Sequence, residues 1–126
     1  MATAMNQRIR VCASDELVDG AYLRLAVAYD SEPIMAFVFR HRGTCLAFRN
    51  LCVHMPRELD CEKSTVFDAS GRYLRCSMHG IVYDPLSGES MSEICNGKRL
   101  TAIELAEDAE GVWIVDRRVK ALPGPR

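Results

Sequence analysis

Two short pairs of metal-binding side chains constrain this chain more than anything else in it: Cys52-Val53-His54, and then Cys76-Ser77-Met78-His79-Gly80, with 21 residues between His54 and Cys76. Thiolate and imidazole are soft and borderline ligands that suit transition metals. Each pair follows a strand-like segment and so falls on a loop at a strand end, where two loops can meet over one metal centre. A structural zinc would use the same two Cys and two His, although zinc sites more often open with Cys-x-x-Cys. The bland alternative is core cysteines beside surface histidines. His41 lies in a turn signal and reads as solvent-facing. Cys12, Cys45, Cys61 and Cys95 read as small buried apolar side chains, with Cys61 and Cys95 flanking the two loops.

The remainder reads as scaffold. Arg8 to Cys12 is a short strand, and Asp19-Gly20 is a turn. Tyr22 to Ala28 alternates, with Leu23, Leu25 and Val27 on one face. Asp30-Ser31-Glu32-Pro33 breaks it before a near-continuous apolar strand, Ile34 to Arg40. His41-Arg42-Gly43 then turns the chain into Thr44 to Arg49. Met55 to Ser64 is polar and irregular. A hairpin is expected from Thr65–Phe67 and Arg72–Arg75 about Ala69-Ser70-Gly71, followed by a strand at Ile81–Tyr83 and turns at Asp84–Gly88 and Asn96-Gly97. Leu100–Leu105 and Val112–Val115 are expected to pair across Glu110-Gly111, with Trp113, the single Trp, as a core anchor. Short strands with a turn every ten or so residues predict an all-β antiparallel sandwich or barrel. One domain over 1–126 suits the length, with a metal-binding subdomain at about 50–97 and a flexible tail over 117–126.

Charge excludes some partners. The 16 Lys and Arg balance 17 Asp and Glu without a run of one sign, which argues against nucleic acid or an acidic membrane surface. Met1 to Arg10 has no apolar core of a signal peptide, and the longest apolar run, Ile34 to Phe39, is far short of a roughly 20-residue span. A soluble, cytoplasmic protein with reduced thiols is the expectation.

The residues from Cys76 through Gly80-Ile81-Val82-Tyr83-Asp84, with Ser87-Gly88 as the following turn, resemble the second ligand loop of Rieske [2Fe-2S] proteins, and Cys52-Val53-His54 resembles the first. The likeness runs over most of the chain. It implies the Rieske fold and one [2Fe-2S] cluster, with Cys52 and Cys76 on one iron and His54 and His79 on the other. Replacing two thiolates by neutral imidazoles leaves the oxidised centre formally near zero charge rather than about −2, which raises the potential into roughly −150 to +300 mV. The added electron then resides on the histidine-bound iron and passes through the His54 and His79 ring edges, whose N–H groups lower the potential when they deprotonate. The 21-residue spacing is one hairpin longer than is usual in Rieske ferredoxins, and Phe67-Asp68-Ala69-Ser70-Gly71 accounts for the difference.

Within the family, the respiratory branch carries an extra Cys in each loop, where this chain has Arg57 and Met78. That branch also places a Ser two residues after the second ligand His and a Tyr four after it. Here Ile81 replaces the Ser while Tyr83 is retained, which implies a potential in the lower part of the range. Oxygenase subunits add an iron held by two His and a carboxylate. His41 is the one histidine left over, so a second iron site cannot be built from this chain. The resemblance therefore implies an electron carrier rather than an enzyme, taking electrons from a flavin-dependent reductase and passing them to a ring-hydroxylating oxygenase or another redox enzyme. The alternative is a redox or sensing subunit similar to the small subunit of assimilatory nitrite reductase.

Overall fold

Turn chemistry and apolar alternation build the first sheet directly. In the computed structural model, which describes residues 8–53, 57–61, 65–77, 80–95 and 97–122, β1 (Ile9–Cys12) leads through a 3-10 turn at Ser14–Glu16 to β2 (Tyr22–Tyr29) and β3 (Glu32–His41). Tyr22 lies opposite Phe39 and Tyr29 opposite Glu32. The loop between them is only Asp30-Ser31, both at positive φ (49° and 72°). This is the backbone sense that matches the right-handed twist of a hairpin. The expected four-residue break is thus two residues long, and Pro33 stands within β3 opposite Ala28. Arg42 and Gly43 repeat the device at φ 52° and 86° and deliver β4 (Thr44–Arg49), with the bounds expected from the sequence.

The remaining strands are β5 (Leu74–Arg75), β6 (Val82–Tyr83), β7 (Leu105–Asp108), β8 (Gly111–Ile114) and β9 (Val119–Lys120). They give a sheet in the order β4-β3-β2-β9, a second in the order β1-β8-β7, and the pair β5-β6. The paired registers are antiparallel. The all-β antiparallel expectation holds.

By compactness the chain divides into two units, Met1–Ala47 with Ile103–Arg126, and Phe48–Ala102. In the first, Ile34, Ala36 and Val38 of β3 pack with Val112 and Ile114 of β8 and with Val119. Phe37 and Phe39, on the other face of β3, are also fully buried and stack with ring centroids 5.7 Å apart. A strand buried on both faces explains the unbroken apolar run. At its end Arg40 donates to the carbonyls of Leu17, Ser14 and Gly43 and holds the Glu107 carboxylate at 2.8 Å, tying the 3-10 turn and β7 to β3.

Three expectations fail here. Trp113 is only half-buried: β8 turns Val112 and Ile114 inward, and Trp113 projects from the opposite face. Its indole N–H donates to Asp108 (3.0 Å) and its ring lies 4.4 Å below the Arg8 guanidinium. The arm paired with β8 is Leu105–Asp108 rather than Leu100–Leu105; Leu100 and Ile103 are buried without belonging to a strand. Finally, the tail expected from residue 117 is anchored, with Val119 fully buried and paired with Tyr29. The buried Asp116 carboxylate is responsible. It accepts from the backbone N–H groups of Glu104 and Arg118 (both 3.0 Å) and from the Arg118 guanidinium (2.7 and 2.9 Å). Residues 123–126, with Pro123-Gly124-Pro125, lie outside the described residues.

The Arg118 hydrogen bonds hold the Asp116 carboxyl at about 2, against an ordinary value of 3.8. Its stabilisation is therefore complete above the unfolded value and is lost as pH falls through the folded one, and it amounts to about 2 kcal/mol. Asp116→Asn is expected to lower unfolding stability by about that amount near neutral pH in urea titrations, with the gap to the parent protein narrowing as pH approaches about 2.

Candidate metal centre

The Phe48–Ala102 unit carries both loops. It is closed at its ends by the Arg49 N–H donating to the Thr101 carbonyl (2.9 Å) and by a Phe48–Ala102 bridge. Cys52 lies three residues past β4 and Cys76 directly after β5, and both are buried, at 3% and 1% exposure. His54 and His79, the other two expected ligands, lie outside the described residues, as does Met78. Among the described residues no three Cys, His, Asp or Glu side chains converge as a metal site.

The first loop is held by a residue that the sequence reading missed. Asn50 is 3% exposed; its carbonyl oxygen accepts from Leu59 N–H at 2.7 Å and its amide donates to Asp60 at 3.1 Å. Cys52 N–H donates to the Arg57 carbonyl (2.8 Å), and Ser77 N–H donates to the Leu59 carbonyl (2.7 Å), so the first loop also braces the second. The sequence carries no local signal for Asn50, because its partner Leu59 lies nine residues further along the chain. Leu59 takes the buried place in this loop, at 0% exposure, and leaves Cys61 exposed, contrary to the buried reading of that thiol. Cys12 and Cys95 are buried as expected, Cys45 is half-buried, and His41, the last residue of β3, is half-buried rather than in the turn.

In the second loop, Gly80 N–H donates to the Cys76 carbonyl (2.8 Å) and Cys76 N–H to the Ile81 carbonyl (2.9 Å). Gly80 sits at φ 73°, and a Cβ there would stand 3.1 Å from the Arg75 guanidinium. Both conditions favour glycine. The preceding hairpin forms as expected, with Phe67 bridging Leu74 and Arg75 N–H donating to the Val66 carbonyl. Its turn closes on Asp68, which accepts from Gly71 and Ser70 and returns its N–H to Tyr73. Beyond the second loop, Asp84 organises the 84–88 turn by accepting from Leu86 and Gly88.

Tyr83 unites the loops. It is fully buried on β6, its hydroxyl lies 3.2 Å from Cys52 Sγ, and Val53 N–H donates to the same oxygen at 3.1 Å. A metal-bound cysteine has no proton to give, so with Cys52 as a thiolate the Tyr83 O–H must be the donor to sulfur. Burial, then the contact with Cys52, raises the phenol well above its ordinary range, so it stays a neutral donor. Two buried cysteines on braced loops, one with a directed O–H, are a donor set suited to an iron-sulfur centre and poorly suited to an apolar core.

A family model for the Rieske [2Fe-2S] domain matches residues 7–107. The chain belongs to the Rieske [2Fe-2S] family. Its cofactor is accordingly a [2Fe-2S] cluster. No curated protein matches the chain significantly. Among solved structures, the Rieske chain is similar to the ferredoxin of carbazole 1,9a-dioxygenase from Nocardioides aromaticivorans IC177, at 24% identity and a TM-score of 0.65, covering 86% of this chain and 97% of that one. It is also similar to the terminal oxygenase of carbazole 1,9a-dioxygenase from Novosphingobium sp. KA1, at 18% identity and a TM-score of 0.69, covering 86% of this chain but 29% of the oxygenase. These likenesses establish the fold. Among the described residues no helix is long and apolar enough to cross a membrane.

Tyr83→Phe removes the hydroxyl while keeping the ring. It is expected to shift the midpoint potential to lower values by about 40 mV, the one-electron equivalent of about 1 kcal/mol for one hydrogen bond. Protein-film voltammetry checks this, with the visible spectrum reporting that the cluster is retained.

Proposed function

We propose that the protein is a cytoplasmic one-electron carrier. In this reading Cys52 and Cys76 hold one iron of the cluster and His54 and His79 the other, within a cluster-binding subdomain formed by Phe48–Ala102. When bound, the cluster supplies a one-electron couple. Cys52 and Cys76 bind it from buried positions that exclude water, Tyr83 directs its O–H at Cys52 Sγ, and Asn50 fixes the first loop. The observation that supports the reading is the likeness to the ferredoxin of carbazole 1,9a-dioxygenase, joined to the Rieske family match over residues 7–107. The solved complexes of oxygenase and ferredoxin in carbazole 1,9a-dioxygenase support an oxygenase as electron acceptor. A flavin-dependent reductase is the matching donor, and catalysis resides in the acceptor.

Dithionite-reduced protein is expected to give the electron paramagnetic resonance signal of a nitrogen-ligated two-iron centre, with about two irons and two sulfides per chain. A flavoprotein reductase should reduce it and an added Rieske oxygenase should reoxidise it. Zinc, or a silent spectrum, would sink the ligand assignment. Stable co-purification with a large subunit, without turnover between free partners, would make the protein a fixed subunit instead.

A further inference from the structure

Arg75 closes β5 immediately before Cys76. Its backbone is fixed from both sides, by its N–H donating to the Val66 carbonyl (2.8 Å) and by its pairing with Val82. Leu74 beside it is fully buried, so the alternation of the strand turns Arg75 to the other face. There the guanidinium lies against Gly80, with Nη2 3.1 Å from where a Cβ would stand. Gly80 in turn donates its N–H to the carbonyl of Cys76, the residue that follows Arg75. Arg75 also lines a cavity of about 410 Å³ together with Thr65, Phe67, Asp68 and Ala69.

Three other arginines are neutralised by acids. Arg8, Arg40 and Arg118 each pair with a carboxylate, at 3.1, 2.8 and 2.7 Å. Among the described residues the Arg75 guanidinium has neither an ion pair nor a hydrogen bond, and it is half-buried. Partial burial of a guanidinium without an ion pair limits the screening of its field. Reduction of a neighbouring centre adds one negative charge, which such a cation favours.

We propose that Arg75 is a positioning residue that sets the reduction potential of the centre, with Gly80 leaving room for its guanidinium over the second loop. The proposal rests on the ligand reading above. It is tested on the cluster-loaded protein with Arg75→Gln, which removes the charge, and Arg75→Lys, which retains it, by voltammetry alongside the spin resonance spectrum. The expected result is a midpoint shifted to lower potential in the glutamine variant, a midpoint close to the parent's in the lysine variant, and unchanged g-values in both. An unshifted midpoint in the glutamine variant overturns the proposal, as does an equal shift in both variants. Failure of the glutamine variant to assemble the centre overturns it in favour of a purely structural role. If the parent protein itself lacks the two-iron signal, the ligand reading has failed and this inference fails with it.

Discussion

The two cysteine-bearing loops lie more than twenty residues apart in the chain, and the point that fixes one to the other is a buried phenol. Tyr83 belongs to the strand that follows the second loop, yet its hydroxyl oxygen accepts a hydrogen bond from the Val53 N–H of the first loop and faces the sulfur of Cys52. The bond from Ser77 to Leu59 makes the reciprocal tie. Once these are in place the backbone of each loop is a boundary condition on the other. The strands supply only the platform: β5 and β6 are two residues each, too short to be stable alone, and they persist because Leu74 and Tyr83 are wholly buried.

The protein buries polar groups where geometry has to be held and satisfies them there. Asn50 and Asp116 are nearly inaccessible, each accepts from backbone N–H groups, and each stands where an irregular segment must keep one conformation. Among the described residues no buried side-chain nitrogen or oxygen lacks a partner. An apolar side chain at either position would fill the space but leave backbone donors unpaired, at a cost of about 1–3 kcal/mol each.

Much of this was legible in the sequence because local chemistry decided it. The Asp30-Ser31 and Arg42-Gly43 turns, the apolar run of β3 and the Asp68 hairpin are short-range features, and the Cys and His pairs, with the residues from Gly80 to Asp84 and the Ser87-Gly88 turn, carried the family resemblance. The misreadings share a cause. Val112-Trp113-Ile114-Val115 is apolar at every position, so its period gave no parity, and the largest side chain was assigned to the core while the strand's actual inward face belongs to Val112 and Ile114. Leu100 and Ile103 were read as strand because they are apolar, but burial does not require a ladder. Asn50 and Asp116 act through partners such as Leu59 and Glu104, nine and twelve residues away, beyond any local pattern.

The hairpin between the two loops has a use that its length alone does not suggest. Its tip, Ala69 to Gly71, is exposed and is closed by the Asp68 side chain and backbone. Chain added at the tip lengthens a turn whose two stems are already joined at Phe67 and Leu74. The tip is therefore a natural graft point, where a surface-binding peptide could tether the protein to an electrode while leaving the loop geometry as it stands.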